Sequence, residues 1–129
     1  MSDSTVPSDR PVVGLTVGDP AGIGPEIVVK SLGDPEMYRP VRPLVFADRA
    51  VLAQTLEMLD LEMELNAVGD PAEGRYESGC LDFVDVGALE GPAVYGEISA
   101  DGGRAGYAYL DRAIDEALAG RVDGLATAP

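Results

Sequence analysis

The chain has 129 residues, room for one ordinary domain with a single core, and its 46% apolar content is that of a globular protein. A formal charge of −14 excludes nucleic acid and anionic membrane surfaces as partners by like-charge repulsion. With no histidine and one cysteine, Cys80, the commonest general base, the commonest metal ligand and any internal disulfide are excluded as well.

Residues 1–10 have no apolar stretch of signal-peptide type and are expected to form a disordered leader. Residues 11–17, Pro-Val-Val-Gly-Leu-Thr-Val, form a short β-branched run that predicts a buried strand. A turn-rich loop over residues 18–24 follows, and then a helix over 25–32. Pro25 suits the first helical position and Glu26 suits the positive end of the helix dipole. Gly33-Asp34-Pro35 stops that helix.

A second strand is expected over residues 42–47. Asp48 reads as the N-cap of a helix reaching Leu59, with Val51, Leu52, Leu56 and Leu59 facing the core. Strands are expected over 63–68 and 81–86, with a loop over 69–79 between them. Residues 87–103 read as a surface excursion with a short strand near Val94 and Tyr95. A long helix is expected over 104–119, its inner face Leu110, Ala113, Ile114, Ala117 and Leu118, stopped by Gly120. Residues 123–129 begin a last strand. Alternation of strands and helices predicts an α/β fold, a mainly parallel sheet with helices on both faces.

Ligands of such sheets gather beyond the carboxyl ends of the strands. That rule singles out the 18–24 loop and the chain's last residues. Gly18-Asp19-Pro20-Ala21-Gly22-Ile23-Gly24-Pro25-Glu26 joins a strand end to a helix start, where free amides hold anions. It lacks the Gly-Lys-Ser/Thr ending of a P-loop and the glycine spacing of the dinucleotide fingerprint. Asp19 and Glu26 oppose a phosphate there. Two readings stay open: a wall that takes hydroxyls, an amine or a cation, and a tight structural turn with no ligand. Cys80 reads as a small buried side chain, and Tyr107 and Tyr109 as packing or surface residues. The pairs Asp82/Asp85 and Asp111/Asp115 read as solvated carboxylates, not metal ligands. The acidic excess itself suggests adaptation to a salty cytoplasm.

Residues 16–26, Thr-Val-Gly-Asp-Pro-Ala-Gly-Ile-Gly-Pro-Glu, resemble the N-terminal signature of the 4-hydroxythreonine-4-phosphate dehydrogenase family. Residues 99–106, Ser-Ala-Asp-Gly-Gly-Arg-Ala-Gly, and residues 123–129, Asp-Gly-Leu-Ala-Thr-Ala-Pro, resemble the same family in the same order. The resemblance implies the first part of an isocitrate/isopropylmalate dehydrogenase-like fold. It also implies NAD- or NADP-dependent oxidation, with decarboxylation, of 4-phosphohydroxy-L-threonine toward pyridoxal phosphate, in a cytoplasmic homodimer. A divalent metal (Zn, Mg or Co) would be held by histidines, none of which this chain has. Gly18, Asp19, Pro20, Gly22, Gly24 and Glu26 carry over as a substrate-side loop. Thr127, Ala128 and Pro129 carry over as a substrate-side strand end. No catalytic or metal-ligating residue carries over. Residues 11–129 are therefore expected to be an incomplete α/β domain of a larger two-lobed enzyme, inactive alone. The alternatives are a related dehydrogenase of another 4-phosphorylated hydroxy acid and a non-catalytic small-molecule-binding domain.

Overall fold

A computed structural model describes residues 9–90, 93–94 and 96–129. Five strands form one parallel sheet in the order β3-β4-β2-β1-β5: β1 (Val12–Thr16), β2 (Arg42–Ala47), β3 (Glu64–Ala67), β4 (Cys80–Asp85) and β5 (Gly124–Thr127). Three helices connect them: α1 (Gly24–Leu32), α2 (Arg49–Leu59) and α3 (Ala100–Leu118). The chain steps one way along the sheet through α1 and α2 and returns the other way through α3. Right-handed crossovers therefore put α1 and α2 on one face and α3 on the other. In agreement, α1 packs on α2, and α3 packs on β1, β2 and β5. None of the described helices is long and apolar enough to cross a membrane.

The central strands β2 and β4 are buried on both faces: Leu44, Val45, Phe46, Leu81 and Phe83 have no exposed surface, and Asp82 is the buried polar side chain of β4. Burial by helices on both sides explains why these strands read as continuous apolar runs and not as alternating ones. Cys80 is buried as expected, and burial raises its thiol pKa, so it is no ready thiolate.

Two short 3₁₀ turns, Pro35–Tyr38 and Pro71–Glu73, fall in stretches read as helix stop and loop. Both begin Asp-Pro, and Asp34 and Asp70 each accept the backbone N–H two residues on. Residues 1–8 of the expected leader lie outside the described residues. Arg10 is buried, and its guanidinium donates to the carbonyls of Tyr38, Val41 and Tyr76.

Several expectations are corrected. The last helix starts at Ala100, not 104, because the Ser99 side chain caps it by accepting from Gly102 N–H at 3.0 Å. Its inner face is Gly102, Ala105, Tyr109, Ala113 and Glu116, while Ile114 and Leu118 lie exposed. The small residues let α3 approach closely, and the long aliphatic ones stay outside. Val94 belongs to no strand, and Tyr95 lies outside the described residues. Asp48 sits at the N-cap of α2, but its side chain makes no cap bond. Asp85, from the end of β4, takes that place by accepting Arg49 N–H at 3.3 Å.

Glu116 is buried and fixes the turn from α3 into β5. It accepts from Arg121 Nε at 2.6 Å and Nη2 at 3.1 Å, and from Arg112 Nε at 3.4 Å. The Arg121 hydrogen bonds hold its carboxyl below the ordinary value of 4.5, against the opposing effect of burial. A depressed folded-state pKa adds stability that is present above the ordinary value and lost as pH falls through the folded one. The stability gap between wild type and Glu116→Gln, read by urea unfolding, is expected to be full at neutral pH and to close as pH falls below 4.5. A gap that stays constant down to the acid limit would remove the ion-pair account.

Candidate functional site

The loop over residues 17–23 leaves the carboxyl end of β1 and turns back at once into α1. Its shape is set internally. Asp19 Oδ1 accepts Ala21 N–H at 2.9 Å, and the Asp19 carbonyl accepts Gly22 N–H at 2.9 Å, closing a turn around Pro20. Gly18 has φ +70°, where a side chain is strained. Glu26, in the first turn of α1, pairs with Lys30 at 3.3 Å across one helical turn.

The strand end lies against this loop. Thr127 is in register with Thr16 on β1, and Ala128 N–H donates to the Thr16 carbonyl at 2.9 Å. A Cβ on Gly18 would stand 2.8 Å from the Pro129 carbonyl oxygen, and one on Gly24 would stand 3.2 Å from the Ala128 Cβ. On the opposite side, α3 presents glycines. A Cβ on Gly102 would meet Asp19 Oδ1 at 2.5 Å, and one on Gly106 would meet Gly18 C at 2.9 Å. The loop is thus clamped between the end of β5 and the start of α3.

A cavity of about 260 Å³ opens beside it. Pro20 and Ala21 form one side, the chain after β4 contributes Leu89, Glu90 and Glu97 among others, and the start of α3 contributes Asp101 and Gly102. Gly96 N–H donates to the Ala21 carbonyl at 2.7 Å, which ties that outer segment to the loop. Of the residues singled out from sequence, Pro20 lines the cavity. Gly18, Asp19, Gly22 and Gly24 shape the loop behind it, and Thr127, Ala128 and Pro129 abut the loop without lining that space.

The charged groups of these walls are carboxylates, Glu90, Glu97 and Asp101, set among apolar residues such as Leu89, Ala93 and Val94. A phosphate is repelled there, whereas hydroxyls or an amine find acceptors. Among the described residues no three His, Cys, Asp or Glu side chains are grouped to hold a metal ion. Asp111 and Asp115 are exposed, as expected of solvated carboxylates. The reading of Asp82 as a solvated carboxylate is corrected: it is 1% exposed and accepts hydrogen bonds from Asn66, Arg75 and Tyr76.

The family model described as "Pyridoxal phosphate biosynthetic protein PdxA" matches residues 39–129. The chain belongs to this family. A PdxA-family chain of this length has longer relatives. It is 43% identical over 121 residues to a Symbiobacterium thermophilum protein provisionally named D-threonate 4-phosphate dehydrogenase, covering 93% of this chain and 36% of the relative. It is 36% identical over 122 residues to the 4-hydroxythreonine-4-phosphate dehydrogenase of Desulforapulum autotrophicum, covering 94% of this chain and 36% of the relative. The crystal structure of a 4-hydroxythreonine-4-phosphate dehydrogenase from Burkholderia phymatum superposes with a TM-score of 0.88 at 40% identity, covering 93% of this chain and 36% of that one. The chain therefore spans about a third of the length of the relatives it matches, and shares their α/β architecture over that third.

Sequence reasoning missed the contact between two buried groups near the cavity, Asp48 and Tyr109, whose side chains meet at 2.9 Å. They are 61 positions apart, and no local pattern joins them. The one available signal was the Asp at a helix start, which pointed to a capping role instead.

Proposed function

We propose that this segment supplies one substrate-side wall of a dehydrogenase that oxidises the secondary alcohol of a small 4-phosphorylated acid, with 4-phosphohydroxy-L-threonine as substrate and pyridoxal phosphate synthesis as the destination. The observation that carries the reading is the clamp just described: the signature loop and the 127–129 strand end, far apart in sequence, lie against each other at the carboxyl ends of β1 and β5. Membership of the family and the dehydrogenase names of its relatives support it.

Within this reading the segment binds and orients, and does no proton transfer. It has no histidine, and its acidic walls favour the hydroxyl or amine end of a substrate over the phosphate end. Oxidation requires NAD or NADP as hydride acceptor. A divalent metal would polarise the alcohol oxygen, and decarboxylation would follow. Among the described residues no group is built to hold a metal, and the proposal places its ligands, like the nucleotide site, outside residues 1–129. A cytoplasmic homodimer is part of the same proposal.

A second substrate, D-threonate 4-phosphate, is favoured by the name of the 43% identical relative. It carries a hydroxyl where the first carries an amine. Assaying NAD and NADP reduction with both substrates and a divalent metal separates them. The intact protein is expected to turn over one of the two, and residues 1–129 alone neither. Turnover by the 129 residues alone would show that acid–base chemistry resides here after all.

The acidic surface completes the proposal as an adaptation to a salty interior. The urea midpoint is expected to rise from low to molar potassium chloride as self-repulsion is screened. A midpoint indifferent to salt would end that account.

A further inference from the structure

Asp48 stands at the carboxyl end of β2, 4% exposed, in a crevice with a particular topology. The loops that leave the neighbouring strands β2 and β4 depart toward opposite faces of the sheet, and ligand crevices of α/β sheets open at such points. Here the Asp48 carboxylate fills the gap. Oδ1 accepts Ala88 N–H at 2.8 Å, and Oδ2 accepts both Leu89 N–H at 2.9 Å and the Tyr109 hydroxyl at 2.9 Å. Burial first, and the bond to Asp48 second, push the Tyr109 phenol far up, so it remains a proton donor.

These bonds join three elements around one space: β2, the start of the 86–99 connector, and α3. Two further bonds hold the connector down. Gln54 Nε2 on α2 donates to the Ala93 carbonyl at 3.1 Å, and Gly96 N–H donates to the Ala21 carbonyl of the signature loop. The connector's described residues Leu89, Glu90, Ala93, Val94 and Glu97 line the outer side of the 260 Å³ cavity.

The structure assigns Asp48 the role of a positioning residue for that cavity: its carboxylate, oriented by Tyr109, fixes the connector at the distance from the signature loop that the substrate requires. The inference rests on the dehydrogenase reading for its ligand, but not for its mechanics. Two amides bound to the two oxygens of one carboxylate cannot both be served by an amide side chain. Asp48→Asn therefore releases the connector while conserving shape and volume.

The test uses the intact protein and two readouts, amide hydrogen exchange over residues 86–99 and the steady-state constants for the better of the two substrates. In Asp48→Asn the Ala88 and Leu89 amides are expected to exchange faster, and KM to rise roughly tenfold while kcat changes by less than about threefold, because a displaced wall weakens binding more than chemistry. Gln54→Ala, on the outer side of α2 and independent of the buried pair, is expected to keep the fold, speed exchange at Gly96 and raise KM by a smaller factor. It serves as the deciding variant if Asp48→Asn does not fold. Tyr109→Phe leaves both amide bonds in place and is expected to keep Ala88 and Leu89 protected. Unchanged exchange in Asp48→Asn, or faster exchange with KM unchanged, overturns the positioning role. Absence of turnover in the wild type with either substrate overturns the dehydrogenase reading alone, and the exchange data then still decide whether Asp48 holds the connector.

Discussion

Gly24→Ala is expected to be among the most damaging single-methyl additions in this chain. An ideal Cβ at Gly24 would stand 1.8 Å from the Val17 carbonyl oxygen and 2.8 Å from its carbon. Both are backbone atoms of a residue with no exposed surface, directly after the strand that pairs with both β2 and β5. Rotamer changes cannot relieve such a contact, so either the loop or the helix start must move. Ordinary overpacking costs about 1–3 kcal/mol. A clash against fixed backbone belongs above that range, at roughly 4 kcal/mol or more, a large part of the 5–15 kcal/mol that holds a typical domain together. Gly103→Ala is the matched control. It lies inside α3 with nothing within 4 Å of its would-be Cβ, so helix propensity predicts stabilisation by about 0.5–1 kcal/mol. Urea unfolding followed by circular dichroism measures both. A Gly24→Ala midpoint equal to wild type would mean that the loop can open at little cost, and the rigid clamp would have to be given up.

The glycines show how much was legible before the structure. The loop's position at a strand end, its abrupt turn and the following helix could be read from Gly18-Asp19-Pro20 and Gly24-Pro25, because these residues act through their own backbone preferences. The doubly buried strands were legible for the same kind of reason: a short run such as Leu44-Val45-Phe46 has few other stable states. What could not be read depends on partners distant in the chain. The inner face of α3 was read correctly at Ala113 and misassigned elsewhere, because Leu110, Ile114 and Leu118 outweigh Ala105 and Gly102 on any hydrophobicity count. The deciding factor was instead how closely the signature loop lies, with Gly106 against Gly18 and Asp19. Of the candidate site, the two segments and their kinship were legible. The connector that completes the cavity was not, because its three anchors, Asp48, Gln54 and Ala21, lie 40, 39 and 75 residues away from the groups they hold.

Asp82 extends that lesson to the opposite, amino-terminal side of the sheet, and its removal is the second large effect expected. A carboxylate in the run Leu-Asp-Phe-Val-Asp-Val looks like the polar face of a half-exposed strand, yet Asp82 is buried in β4. Oδ1 accepts Asn66 Nδ2 at 2.7 Å and Arg75 N–H at 3.0 Å, and Oδ2 accepts Tyr76 N–H at 2.8 Å. Tyr76 is held at φ +53°, an uncommon conformation for a side chain of its size, and its ring is buried with the hydroxyl donating to the Pro71 carbonyl at 2.5 Å. The charge thus organises a turn whose local conformation is unfavourable. Asp82→Ala leaves the buried Tyr76 N–H and the Asn66 amide without their acceptor, at about 1–3 kcal/mol for each unmet group, and also frees the strained turn. A loss of roughly 3–5 kcal/mol is expected, comparable to breaking a buried ion pair. The double variant Asp82→Ala/Asn66→Ala should lose less than the sum of the singles, because the two residues share one bond. Urea midpoints of the four proteins give the coupling directly. A strictly additive cycle, or an Asp82→Ala protein within about 0.5 kcal/mol of wild type, would return Asp82 to the solvated surface where its sequence context first placed it.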